Sequence, residues 1–288
     1  MYTYADKLME DAIFDVLNTG YMDINPRPRW KDGVPAHTLS VNHVVRRYNL
    51  YRGDFPILTL RRMPWVWAIS EILWIYQDAS NDLSVFHEKY GNHVWDDWDI
   101  GDGTIGFRYG HTVNRYQLMQ NLLTGLKEDP FGRRHIIDLW QETEFAEDTK
   151  GLKPCAFCTI WNVRNDERGR FLDMMLIQRS GDMIAASGPG GYNEIQYAAL
   201  QMMVARHCGY IPGVFTHVVG NEHIYDRHRS VAETLAERME KIGYGRMWGK
   251  IPLEINPEVK DFYDMKVSDF TIPGYKPIEP QLKFEVAI

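Results

Sequence analysis

GLKPCAFCTIWNVR (151–164), FLDMMLIQRSGDM (171–183) and GPGGYNEIQYAAL (188–200) are the three stretches that decide the fold of this chain. The first two are typical of neighbouring strands. The third begins with a glycine loop and continues at helical spacing, which predicts a buried helix. Cys155 lies at the mouth of the first strand, an arginine-serine-aspartate cluster ends the second, and Asn193 opens the helix. Together these residues predict a nucleophilic site that binds an anion and recognises a polar ring.

The segments on either side predict a mixture of helices and strands in one domain spanning 1–288. The aromatic and glycine-rich stretch 93–110, within 78–112, has neither the helical nor the strand period, which is typical of a loop that lines a site, and 253–288 is mostly extended with Pro and Gly turns. The remaining pattern predicts helices at 5–20, 63–77 with Pro64 in the first turn, 115–126, after Asn193 and 231–244, and strands at 38–48, 55–62, 136–140, 157–164, 171–178 and 214–225.

The composition limits the functions that the chain can have. With 288 residues, 44% of them hydrophobic and 25% charged, it can bury a sizeable core. The formal net charge of -7 opposes broad nucleic-acid binding, which needs a basic surface. Three cysteines cannot all pair with one another, no signal-peptide pattern opens the chain, and no apolar run approaches the roughly 20 residues of a membrane helix. We therefore expect a reduced, cytoplasmic protein that contacts neither membrane nor nucleic acid.

Cys155 is the candidate nucleophile. A thiol becomes strongly nucleophilic near neutral pH when an arginine or a helix end lowers its pKa, although many free cysteines are inert core residues. Cys155 and Cys158 also form a C-x-x-C pattern. A redox pair or a zinc site is disfavoured, because there is no second C-x-x-C and residues three apart on a strand point to opposite faces.

The residues after the second strand suggest what the site binds. Arg179 and Ser180 offer a guanidinium group and a hydroxyl to phosphate oxygens, and Asp182 can orient a second polar ligand. The amide of Asn193 has a donor and an acceptor side by side, which matches O4 and N3–H of a uracil ring. A cytosine ring would require the opposite pattern.

Two histidines and a tyrosine near the end of a later strand add further polar groups. His223 and Tyr225 are two residues apart, so they face the same side of a strand and can hold a sugar hydroxyl. A zinc site at His223 and His228 lacks further ligands at suitable spacing.

For four charged residues, an ordinary structural position competes with a functional role. The sequence pattern slightly favours a surface position for Glu71 at the edge of its helix, over a buried functional position. Arg27 lies on a loop, where arginines are usually only solvated. Arg133 and Arg134 enter a predicted strand side by side, so they would point to opposite faces of it unless they lie at a loop or subunit edge.

At this point the ordered motifs become recognisable: the chain resembles the thymidylate synthase family over nearly its whole length. Each motif is weak evidence alone, but their shared order is very specific. The motifs are FPILTLRR (55–62), EILWIYQ (71–77), HVWDDW (93–98), YGHTVNRYQ (109–117), RRHIIDLW (133–140), LKPC (152–155), QRSGDM (178–183), YNEIQYAAL (192–200), GNEHIYDRH (220–228) and FEVAI (284–288).

The resemblance implies an α+β fold in which helices flank a large twisted mixed sheet, with dUMP and 5,10-methylenetetrahydrofolate as substrates and no metal. It implies that Cys155 adds to C6 of dUMP, assisted by Arg179, that Glu71 manages protons through water, and that Tyr109 lies beside the base. In this family the folate supplies both the one-carbon unit and the hydride.

The resemblance also assigns binding residues and a homodimer. It places Arg27, Arg179 and Ser180 on the phosphate, Arg133 and Arg134 on the phosphate of the partner subunit's site, Asn193 and Asp182 near the pyrimidine, and His223 and Tyr225 on the ribose. It places Trp95, Trp98, Asp182, Tyr192 and the tail Val286-Ala287-Ile288 around the folate.

Departures from the family pattern leave a second enzymatic function open. Ala156 stands where the family usually has histidine, the run between Asp182 and Asn193 is longer than usual, and Asn221 replaces an aspartate. These changes affect the water network and the folate side of the site. A dUMP hydroxymethylase, in which water attacks the methylene group, is the alternative to the synthase. An RNA-binding remnant of the fold is disfavoured by Cys155 and by the acidic net charge.

Overall fold

A computed structural model describes residues 2–243 and 247–287 of the chain. Its helices are α1 (Tyr4–Thr19), α2 (Trp65–Tyr76), α3 (Leu83–Tyr90), α4 (Gly110–Arg115), α5 (Leu118–Glu128), α6 (Glu142–Glu147), α7 (Tyr192–Cys208) and α8 (Arg229–Ile242). Its strands are β1 (Tyr21–Met22), β2 (Thr38–Asn49), β3 (Ile136–Asp138), β4 (Ala156–Asp166), β5 (Gly169–Asp182), β6 (Ile211–Tyr225), β7 (Glu254–Ile255) and β8 (Phe270–Thr271).

A six-stranded sheet with the order β1-β2-β6-β5-β4-β3 forms the centre of the molecule. Strands β5 and β6 pair in parallel, and every other pair in this sheet is antiparallel. Helix α7 connects the parallel strands and packs against both of them and against α2. The predicted α+β fold, a mixed sheet flanked by helices, is confirmed. None of the helices among the described residues is long and apolar enough to cross a membrane.

The prediction of a strand at 55–62 is wrong. The segment is buried but joins no sheet, because other groups satisfy its backbone. The carboxylate of Asp6 accepts hydrogen bonds from the backbone amides of Thr59 (2.7 Å) and Leu60 (3.3 Å), and the carbonyl of Gly190 accepts one from Leu58 (3.1 Å). Gly190 has φ +65°, and a Cβ there would lie 2.5 Å from the backbone nitrogen of Leu58, so the contact requires glycine.

The helix predicted at 115–126 is also displaced. Gln117 has φ 52°, a left-handed conformation that interrupts the helical hydrogen bonding. The chain therefore forms the short helix α4 and then α5, which buries Leu122, Leu123 and Leu126 on one face.

Candidate active site

A cavity of about 310 Å³ opens at one end of the inner strands of the large sheet. Strand β4 begins here and β5 and β6 end here, because β4 is antiparallel to β5 and β5 is parallel to β6. Fifteen of the predicted site residues line this cavity: Arg27, Glu71, Trp95, Trp98, Tyr109, Cys155, Arg179, Ser180, Asp182, Tyr192, Asn193, His223, Tyr225, Val286 and Ala287.

Two predicted residues do not line the cavity of this chain. Arg133 and Arg134 lie on the exposed loop before β3. Because a loop does not alternate its side chains as a strand does, the opposite-face argument does not apply to them. Their contribution to the site of a partner subunit stays a prediction. Ile288, the last residue of the predicted tail, lies outside the described residues.

Cys155 lies directly before β4, with its sulfur beside a guanidinium group. Arg179 Nη2 is 3.6 Å from Cys155 Sγ. Burial raises the pKa of the thiol, while the charges of Arg179 and then Arg27 lower it. The hydroxyl of Tyr109 accepts a hydrogen bond from the backbone amide of Cys155 at 3.1 Å, which fixes the chain at the nucleophile. The pKa of the thiol is raised overall, and Arg179 is the main charge that offsets this rise and stabilises a thiolate here.

The same arginine also shapes the loop that presents the thiol. Arg179 donates through Nε to the carbonyl of Pro154 (3.0 Å) and through Nη2 to the carbonyl of Lys153 (2.9 Å). Its planar group is therefore held by two backbone acceptors while it faces the sulfur.

Cys158 and Cys155 lie in different environments, but not because residues three apart on a regular strand point to opposite faces. A β-bulge shifts the register between Ala156 and Cys158, so simple alternation fails across this pair. Cys155 faces Arg179, whereas burial and then the charge of Asp138 raise the pKa of Cys158 to about 11. Both thiols are free.

Glu71 is buried on α2, so the surface position that the sequence pattern favoured is wrong. Its side chain faces the cavity, and burial raises the pKa of the carboxyl. The Tyr192 hydroxyl donates to Glu71 Oε2 at 2.9 Å. The nearby polar side chains of Gln196, Tyr192 and Trp95 offset part of this rise in the pKa of Glu71. A carboxyl group whose pKa is raised by burial holds a proton more readily than an exposed one, so it can act as an acid or a base in the cavity.

Two glutamines that the sequence analysis did not single out hold the amide of Asn193. Gln178 Nε2 donates to Asn193 Oδ1 (3.2 Å), and Asn193 Nδ2 donates to Gln196 Oε1 (3.1 Å). Gln178 and Ser180 are two apart on β5, so they share a face of the strand and both reach the cavity. That spacing was the available signal for Gln178, whereas the role of Gln196 depends on how α7 is oriented.

Asp182 ends β5 and caps the turn that follows it. Its Oδ1 accepts hydrogen bonds from the backbone amides of Ile184 and Ala185, each at 3.0 Å. Burial opposes ionisation of Asp182, but His228 and these contacts hold its pKa below the usual value. Asn221, one of the departures noted in the sequence, accepts a hydrogen bond through Oδ1 from His223 Nδ1 at 3.0 Å and so orients that ring.

Aromatic side chains and the C-terminal tail close the other side of the cavity. The rings of Trp95 and Trp98 meet edge to face with centroids 5.4 Å apart. His228 Nε2 lies 2.7 Å from the carbonyl oxygen of Glu285, which anchors the tail, and Ala287 packs against the cluster containing Tyr225. Flat apolar walls beside a few polar groups suit a ring-shaped ligand.

One possible metal-ligand group among the described residues lies outside this cavity. Ligand atoms of His87, His93 and Asp96 come within 4.8 Å of one another. Each histidine is hydrogen-bonded to a different oxygen of Asp96, so the group is satisfied without an ion. The zinc site considered for His223 and His228 does not appear among such groups in residues 2–243 and 247–287.

A free cysteine beside an arginine, in a cavity at the strand ends of a mixed sheet, is typical of enzymes that use a thiol nucleophile. Several known proteins are similar to this chain over nearly its whole length. A solved structure of the thermostable thymidylate synthase A from Bacillus subtilis superposes with a TM-score of 0.86 and 36% identity, covering 98% of this chain and 99% of that chain. The thymidylate synthases of Lactococcus lactis subsp. lactis and Streptococcus suis are 44% and 42% identical over 287 residues, 99% of this chain and 100% of each relative.

The sequence model of thymidylate synthase matches residues 7–288. The chain belongs to the thymidylate synthase family. It is therefore an enzyme of the methyltransferase class, and the hydroxymethylase alternative is not favoured.

Proposed function

We propose that this chain, acting as one catalytic domain over 1–288, converts dUMP to dTMP by reductive methylation with 5,10-methylenetetrahydrofolate. The observation that carries the proposal is the 3.6 Å approach of Arg179 to the sulfur of Cys155, inside a cavity that also exposes Asn193. A nucleophile, a positive charge and a group complementary to uracil around one space would support this reaction.

In the proposed reaction, Cys155 Sγ forms a bond to C6 of the pyrimidine. The electron pair of the C5–C6 double bond moves toward O4, and C5 becomes nucleophilic. Negative charge develops near O4, where a fixed N–H of Asn193 can stabilise it by several kcal/mol, about the worth of one well-placed oxyanion donor. Glu71, buried and bound to Tyr192, would move protons at this edge of the ring.

The nucleotide phosphate would be held by Arg27, Arg179 and Ser180 from one subunit. We propose that Arg133 and Arg134 complete this set from the partner subunit of a homodimer. Their exposure and their position outside the cavity support this, because an arginine pair with no role in its own site is available to another. His223 and Tyr225 would bind the ribose, since both line the cavity and His223 is oriented by Asn221.

The folate would occupy the side of the cavity formed by Trp95, Trp98, Tyr192 and Ala287, with Asp182 at the border to the nucleotide. When bound, it supplies the one-carbon unit and the hydride, so we propose a cytoplasmic enzyme that needs no metal. The anchored tail would exclude water from the pocket during the transfer.

Product analysis with dUMP and methylenetetrahydrofolate tests the proposal. We expect dTMP and dihydrofolate in equal amounts. Hydroxymethyl-dUMP with tetrahydrofolate would instead identify a hydroxymethylase, in which water attacks the methylene group. The Cys155→Ser protein is the control, because it should bind dUMP without forming either product.

A further inference from the structure

A compact group of two histidines and an aspartate lies outside the active-site cavity, near the end of α3. Asp96 Oδ1 lies 2.7 Å from His87 Nε2, and Asp96 Oδ2 lies 3.0 Å from His93 Nδ1. The two imidazole rings stack with their centroids 4.2 Å apart. Two imidazole nitrogens and a carboxylate, all of them possible metal ligands, therefore lie close together on the surface.

The backbone around this group is held in place by its own contacts. His87 lies in the last turn of α3, and Gly91 ends that helix with φ +61°, where its amide donates to the carbonyl of His87 at 2.8 Å. The buried side chain of Asn92 then donates to Ser70 Oγ at 2.9 Å, which ties the turn to α2. The turn brings His93 back beside His87, so the two rings are positioned before any ligand binds.

The distances in the group suit a divalent ion that accepts both nitrogen and oxygen ligands. Zinc binds histidine nitrogen and carboxylate oxygen at about 2.0–2.2 Å in a tetrahedral arrangement, which sets the ligand atoms about 3.4 Å apart. The ligand atoms of this group all lie within 4.8 Å of one another. A movement of about 1 Å at each ring gives the coordination distances, and the rings can make it because both reach solvent.

A zinc ion would take the place of the hydrogens that now lie between the rings and Asp96. A neutral imidazole has one N–H and one lone pair, so its hydrogen moves to the other ring nitrogen when the first nitrogen binds the metal. The carboxylate offsets part of the charge of the ion. Two imidazoles and one carboxylate leave the fourth tetrahedral position to water.

The charge of the neighbouring surface also favours a cation at this place. A second cavity, of about 660 Å³, is lined by His87 and by the four carboxylates of Asp82, Asp96, Asp99 and Asp102. None of the described residues that line it is a lysine or an arginine. A cleft lined by charges of one sign raises the local concentration of counter-ions. The imidazole pair adds selectivity, because nitrogen ligands favour zinc, nickel and copper over calcium and magnesium.

We propose that His87, His93 and Asp96 form a zinc-binding site that fastens the end of α3 to residues 93–96. Trp95 belongs to this segment and lines the active-site cavity, so a bound ion would fix one wall of the cavity without contacting the substrates. The inference does not depend on the proposed reaction, and the ion takes no part in the methyl transfer.

Calorimetric titration with zinc chloride at about pH 7.5 tests the site, on full-length Cys155→Ser protein because the Cys155 thiol would itself bind zinc. We expect one equivalent of zinc to bind. His93→Gln, added to this protein, keeps a donor for Asp96 but removes an imidazole. Zinc should then bind at least about tenfold more weakly, since loss of a group that only orients a ligand already costs that much. The proposal fails if Cys155→Ser protein binds no zinc, or if His93→Gln leaves the affinity unchanged.

His37→Gln is the matched control for the loss of a surface histidine. His37 Nδ1 lies 2.7 Å from Asp23 Oδ1, so His37 pairs with a carboxylate as His93 does. Within residues 2–243 and 247–287, however, it belongs to no group of three possible ligands. We expect the zinc affinity to stay within about twofold, as for a distant, independent site. A loss equal to that of His93→Gln would contradict the proposal, because zinc would then bind scattered surface histidines.

Thermal unfolding and a calcium titration complete the test. Zinc at about a hundred times its dissociation constant should raise the Tm of Cys155→Ser protein by about 4 °C, and the same zinc concentration should raise that of the His93→Gln variant by no more than about half as much. Calcium prefers oxygen ligands, so it should bind at least about tenfold more weakly than zinc. Equal rises in Tm, or calcium that binds as tightly as zinc, would overturn the inference, because the imidazoles would then not hold the ion.

Discussion

Replacing Arg179 with glutamine would measure how strongly its guanidinium group activates the thiol of Cys155. Burial raises the pKa of this thiol and Arg179 lowers it, from a distance of 3.6 Å between Nη2 and Sγ. At that distance, with an effective dielectric constant of about 20, the attraction to a thiolate is about 4–5 kcal/mol. Water reaches the half-buried sulfur and reduces this to about 1–2 kcal/mol. Below the thiol pKa, the substitution should therefore lower the thiolate fraction about tenfold.

The assay is the rate of alkylation by iodoacetamide as a function of pH. Because loss of the positive charge raises the thiol pKa, the profile should move to higher pH, with the plateau rate at high pH unchanged. Burial raises the pKa of Cys158 and of Cys208 to about 11, so both react slowly, and Cys155→Ser measures their background.

Arg27→Gln is the matched control for the Arg179 substitution. Arg27 is the weaker of the two charges acting on Cys155. Unlike Arg179, it makes none of the hydrogen bonds that hold the loop before β4. We expect a smaller shift in the same direction. If Arg179→Gln protein gives the wild-type alkylation profile, Arg179 does not stabilise the thiolate and the electrostatic argument fails.

Three further substitutions test other parts of the structure. Subunits carrying Arg133→Ala should complement subunits carrying Cys155→Ser in mixed dimers, because one site then has both residues; inactive mixtures would contradict the shared site. Tyr192→Phe removes a hydrogen bond that favours ionised Glu71, so the carboxyl pKa should rise and the acidic limb of kcat/KM should move to higher pH; an unmoved limb would argue against this carboxylate. Asp6→Asn removes acceptors for buried backbone amides and should lower the free energy of unfolding in urea by about 2–4 kcal/mol, whereas a loss below about 1 kcal/mol would show that these contacts matter little.

Local periodicity predicted most elements of the fold and failed where a distant side chain replaced a neighbouring strand. The segment 55–62 has the apolar character of a strand, but Asp6 and Gly190 bind its backbone, and neither is visible in a local pattern. The parallel pairing of β5 with β6 could not be derived from periodicity either, because strand order depends on contacts between distant segments. The family resemblance predicted a mixed sheet, but not which of its strands pair in parallel.

The positions of cavity-lining residues in the family motifs could be predicted from the sequence, whereas those of residues that act through others could not. Cys155, Arg179 and Asn193 carry recognisable chemistry in their own side chains, and all three line the cavity. Gln196 has no distinctive spacing, and its role follows only from the hydrogen bond that it accepts from Asn193. Glu71 was misjudged as a surface residue by pattern alone because helical position does not reveal what covers the edge of an apolar face.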